Sequence, residues 1–172
     1  MKKLMMIFMV VAAFNSTASF ADVESVADAE LKSYRNVPLG YMLEYSAPFF
    51  LMKADGDTDD TKPPVLLNPF TEDLLQIHLL KNLNTNALPI RQFVETNAQK
   101  PYPPEATNIS AEVNESGTKY LIKFKHANLY NTAIFTSFNA TDVMYLVFQS
   151  KRSYAIPAEL EKTISSIKNI QQ

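Results

Sequence analysis

Asp55-Gly-Asp57-Thr-Asp59-Asp60 places carboxylates at alternate positions in one short stretch, the arrangement a hard cation such as calcium needs from a loop. The continuation does not fit. The sixth position, where a calcium loop turns on glycine, is Asp60, and the twelfth, where a glutamate closes the shell, is Leu66. A solvated acidic loop is expected, with Asp57 and Asp59 as candidate contacts for a partner and with no metal. His78 and His126 are the only histidines. Each falls in an expected strand without a second ligand at helical or turn spacing, so packed or rim histidines are expected.

Nucleophilic chemistry has no footing in the pattern. No Gly-x-Ser-x-Gly occurs. Gly40, Gly56 and Gly117 are the only glycines, too sparse for a phosphate-cradling loop. No cofactor is expected. Cysteine is absent, which removes disulfides, a thiol nucleophile, a thiolate metal site and a lipid anchor on cysteine. Carboxylates such as Glu44, Glu72, Asp73 and Glu112 leave a hydrolase open as an alternative, because such acids act from distant chain positions.

Binding chemistry is better represented. Lys119, Lys123 and Lys125 share one face of an expected strand, with Tyr120, Ile122 and Phe124 on the other. The stripe reads as a solvated or edge-guarding face and as the first candidate docking face for an acidic partner. Tyr130 and Tyr154 fall in expected turns, where exposed aromatics can anchor a partner. The loops Asp55 to Pro64 and Lys100 to Glu105 are further candidates, since loops on a rigid sheet usually carry function.

The elements that must position these residues follow from periodicity. Asp22 to Lys32 reads as a short helix or lead, within an N-terminal segment 22–39. Strands are expected at Gly40 to Ser46, Asp73 to Lys81, Asn108 to Asn114, Lys119 to Ala127, Thr132 to Phe138 and Asp142 to Ser150, with shorter apolar stretches at Phe49 to Met52 and Val65 to Leu67. Gly117 and Asn128 to Asn131 turn the chain between strands. Val143 to Phe148 is apolar on both faces, which predicts a central strand covered on both sides. Helices are expected within Leu83 to Lys100, opened by Pro89, and from Pro157 onward, with Leu160, Ile164 and Ile167 buried and Glu159, Glu161, Lys162 and Lys168 on the wet side. The class is α+β: a central antiparallel sheet of about six strands packed by helices, in a single domain over 40–172.

Lys2 and Lys3, the uncharged run Leu4 to Phe14, and Ser19 and Ala21 before Asp22 have the layout of a secretory signal peptide over 1–21. The run is well short of the ~20 residues that span a bilayer. A mature chain from Asp22, periplasmic or secreted, without a transmembrane segment, is expected. Hydrophobic residues are 47% of the chain, a globular composition. Without Lys2 and Lys3, the 16 basic residues become 14 against 18 acidic, about −4, which leaves no footprint for nucleic acid.

Gly40-Tyr-Met-Leu-Glu-Tyr-Ser-Ala-Pro48 resembles the opening strand of the PsbP/DcrB/Mog1-like family. The tail is similar too, with the strand Val143-Met-Tyr145-Leu-Val147 and a helix closing on Ile164-Ser-Ser166-Ile167. Ile167 stands where that family often has an aromatic residue, and the usual tryptophan after the first proline is missing, since the chain has no Trp. The resemblance implies an α/β/α sandwich and an accessory or binding role rather than catalysis, and the matched positions are structural. The function expected is an exported, non-catalytic accessory protein that recognises another envelope or secreted protein, an immunity or inhibitor protein being a specialised form. Alternatives are a carrier of a small apolar ligand or lipid between sheet and helix, and the hydrolase above.

Overall fold

The computed structural model describes residues 30–52, 63–97 and 100–170. The signal-peptide reading, the lead over Asp22 to Ala29, and the acidic stretch with Asp57 and Asp59 lie outside the described residues.

Two sheets and two helices carry the described chain. The larger sheet has seven strands in the order β3 (Phe50–Met52), β4 (Val65–Asn68), β5 (Asp73–Leu80), β9 (Val143–Ser150), β8 (Leu129–Ser137), β7 (Lys119–His126) and β6 (Thr107–Val113). The smaller has three, in the order β1 (Lys32–Asn36), β2 (Tyr41–Tyr45) and β10 (Lys168–Asn169). All neighbours pair antiparallel. With α1 (Ile90–Asn97) and α2 (Ala158–Ser166) the class is α+β.

β9 sits fourth of seven in the main sheet, the central place its doubly apolar sequence requires. Met144, Leu146 and Phe148 join one core with Leu75 and Ile77 of β5, Tyr41 and Leu43 of β2, and Leu160 and Ile164 of α2. Val143 points into a second core with Ala133 and Phe135 of β8, Ile122 and Phe124 of β7, and Ile90, Phe93 and Val94 of α1. The layers therefore run α1, main sheet, then the small sheet with α2. Full burial of each such side chain is worth roughly 1.5–3 kcal/mol, and a one-residue slip of a strand with one wet face, such as β7, would exchange its core and solvent faces.

Several elements differ from the sequence reading. The main sheet has seven strands, where about six were expected, and a second sheet stands beside it. Lys32–Asn36, expected within the lead, is a strand whose Tyr34 packs into the core, so the folded unit includes residues ahead of Gly40. Lys168, expected on the wet side of the last helix, lies in β10. Ile167 is not in the helix stripe; it is the residue at which α2 ends, in extended backbone at φ −63° and ψ 120°. The turn expected at Asn128 to Asn131 is a tighter one. Ala127 and Asn128 both take positive φ, 47° and 64°, and His126 pairs with Leu129 across them. Positive φ at both central residues matches the twist of a two-residue hairpin. β8 therefore starts at Leu129.

Candidate functional site

The lysine stripe is placed by the alternation of β7. Tyr120, Ile122 and Phe124 are buried on the α1 side, so Lys119, Lys123 and Lys125 emerge on the opposite face, half-buried along their stems. At ~3.4 Å per residue they span about 20 Å. The three are not equivalent. Lys123 Nζ donates to Glu112 Oε1 of β6 at 2.5 Å, which largely neutralises it. Lys125 Nζ lies 4.9 Å from the centre of the Tyr130 ring, a cation–π contact. Among the described residues, neither Lys119 nor Lys125 has a carboxylate partner. β7 is also not an edge strand; β6 lies outside it, exposed along its whole length.

Tyr130 is not in a turn. The two-residue hairpin places it in β8, opposite Lys125 on one side and Ser150 on the other. Tyr154 follows β9 in a bend, and its ring meets that of Tyr130 edge-on, with centroids 4.9 Å apart and planes at 87°. Thr132 Oγ1 donates to the Tyr154 carbonyl at 3.0 Å and fixes the bend against β8. Lys125, Tyr130 and Tyr154 thus form one stack on the sheet face, although they come from three segments of sequence. Lys119 lies at the far end of β7, at the rim of a cleft.

That cleft, of about 300 Å³, opens between the main sheet and the end of α2. Phe138, Met144, Leu146, Ile164 and Ile167 supply its apolar lining. Lys119 of β7 and Lys168 of β10 line it too. Lys168 was missed as a candidate because helical periodicity assigned it to the solvent side of α2. Only the departure of the chain into β10 brings it here.

The other candidates separate. His78 and His126 lie on different strands, and among the described residues no group of three or more His, Cys, Asp or Glu is placed to hold a metal. The His78 ring lies tilted against Tyr145 at 5.5 Å, and burial pushes its pKa below the ordinary 6.5. Tyr145 stacks on Phe135 at 4.6 Å, and burial raises its hydroxyl to about 12. Of the carboxylates, Glu112 is held by Lys123 and Glu72 by Lys151. Asp73 is buried and accepts from Arg152 Nη2 at 2.6 Å and Thr71 Oγ1 at 2.7 Å. Lys100 to Glu105 is anchored through Tyr102, whose ring lies 5.9 Å from Phe124. Among the described residues no helix is long and apolar enough to cross a membrane.

No family model matches the chain, and no curated protein matches it. Solved structures similar to it include the following two. One is the solution structure of cyanobacterial PsbP (CyanoP) from Synechocystis sp. PCC 6803, at 14% identity and TM-score 0.45, covering 87% of this chain and 98% of that one. The other is a crystal structure from Bacteroides thetaiotaomicron VPI-5482, at 12% identity and TM-score 0.48, covering 85% of this chain and 50% of that one. No residue role passes from either structure to this chain.

Proposed function

We propose that the chain is an exported, non-catalytic binding domain that recognises an acidic segment of another envelope or secreted protein through the β7–β8 face. The observation behind this reading is the Lys125–Tyr130–Tyr154 stack. An aromatic pair capped by a lysine without a carboxylate partner, on a rigid sheet, combines an anchor with a charge that selects acidic partners. The non-catalytic part is supported by Glu72, Asp73 and Glu112, each tied to a cation of its own. A tight one-to-one complex with a toxic effector would make the protein an immunity protein.

The test compares the chain from Asp22 to Gln172 with its Lys125→Glu and Tyr130→Ala variants in capture from the envelope fraction of the source organism. Circular dichroism controls for folding. A stoichiometric partner kept by the parent and lost by both folded variants is the expected result. Equal capture by all three overturns the assignment of this face.

A further inference from the structure

We infer that the cleft between the main sheet and the end of α2 binds a small amphipathic anion, an apolar chain ending in a carboxylate. This goes beyond the docking face, since the cleft is lined by different residues apart from Lys119.

The shape follows from the way α2 ends. Ser166 Oγ accepts from the Glu44 N–H at 2.8 Å and lies 3.2 Å from the Glu44 carbonyl, so the last turn is tied to β2. Ile167 then takes extended backbone, and Lys168–Asn169 pair with Met42 and Tyr41 of β2. The chain is thereby drawn to the small sheet and away from β8 and β9, which leaves the space open between them. The Ile170 N–H donates to the Gly40 carbonyl at 2.9 Å and holds the far side.

The chemistry follows from the lining. Its apolar wall is offered by the half-buried Phe138 and Ile167, lying over Met144, Leu146 and Ile164 of the main core, so a hydrocarbon chain would extend that core outward. Among the described residues no aspartate or glutamate lines the cleft, whereas Lys119 and Lys168 both do. Among the described residues neither lysine is in an ion pair. At ~30 Å³ per non-hydrogen group, the share of one liquid water, about 300 Å³ accommodates roughly ten such groups. Octanoate has that size. The end of α2 acts the other way, because a helix C-terminus favours a cation. The sign of the ligand's charge is therefore the point that decides.

The experiment is a titration of the ¹⁵N-labelled mature chain with octanoate, octanol and octylammonium, followed by amide shifts. Octanoate should shift Lys119, Thr136 to Phe138 and Ile164 to Asn169 saturably. Octanol should bind about tenfold more weakly, the change expected on losing a charge-assisted contact, and octylammonium more weakly still. Lys168→Glu should weaken octanoate by about tenfold or more. Lys125→Glu, which disables the docking face, should leave octanoate binding unchanged, so the two assignments fail separately. No saturable shifts at these residues, tighter binding of octylammonium, or a folded Lys168→Glu variant that binds octanoate as the parent does would each overturn the inference.

Discussion

At the scale of single residues, burial and pairing decide which candidates keep chemical freedom. His78 is the clearest case. Its ring sits against Tyr145 in the main sheet, and its pKa is lowered because the charged form would lose hydration there. The unfolded chain therefore takes up a proton at a higher pH than the folded one. Stability from this residue is constant above pH ~6.5 and falls as the pH drops below that value toward the lower folded pKa. Urea unfolding at pH 7.5 and pH 5 should show a smaller loss for His78→Gln than for the parent; equal losses would refute the assignment. The histidine's packed character was legible from its place in an alternating strand. The stack at Tyr130 was not, because it depends on a hairpin closing at Ala127 and Asn128, and alanine seldom adopts positive φ. Once that turn moves, Tyr130 leaves the loop and enters the sheet opposite Lys125.

At the scale of elements, the two stretches that carry the family resemblance meet. Glu44 belongs to the Gly40 to Pro48 stretch and Ser166 to the Ile164 to Ile167 stretch, and the serine oxygen accepts from the Glu44 N–H at 2.8 Å while its one proton goes to the Thr163 carbonyl at 2.7 Å, one turn back in α2. A serine serves here because one hydroxyl can both accept and donate. Ser166→Ala leaves the Glu44 amide without this partner and should cost about 1–3 kcal/mol in urea unfolding. Ser165→Ala, one residue earlier and exposed, should stay within about 0.5 kcal/mol. Similar losses for the two variants would show that the clamp contributes nothing. The long elements were legible because their periodicity is strong: α1, α2, β5, β7 and β9 lie where the apolar spacing puts them. β1 and β10 were not. Lys32–Asn36 and Lys168–Asn169 carry little apolar pattern of their own and are strands because β2 offers both its edges.

At the scale of the whole molecule, the order of the main sheet joins two halves of the chain at one seam. β6, β7, β8 and β9 follow one another as hairpins, whereas β5 reaches β9 only across the intervening helix and meander, with Leu80 opposite Val143 and Leu74 opposite Gln149. The hairpins close over short loops, and the seam closes over a long one, whose entropy must be met before any contact repays it. The route to the native state should therefore be polarised, with the meander structured at the rate-limiting barrier and the seam formed on its downhill side. Ile134 of β8 and Ile77 of β5 are both buried, so Ile→Val at each is a matched probe. In stopped-flow chevrons Ile134→Val should chiefly slow refolding and Ile77→Val should chiefly speed unfolding; the reverse pattern would place the nucleus at the seam. The central place of β9 thus has a kinetic meaning. Until β5 arrives, one full edge of β9 is an open template, and strand-exchanged association between molecules is the error this topology must outrun.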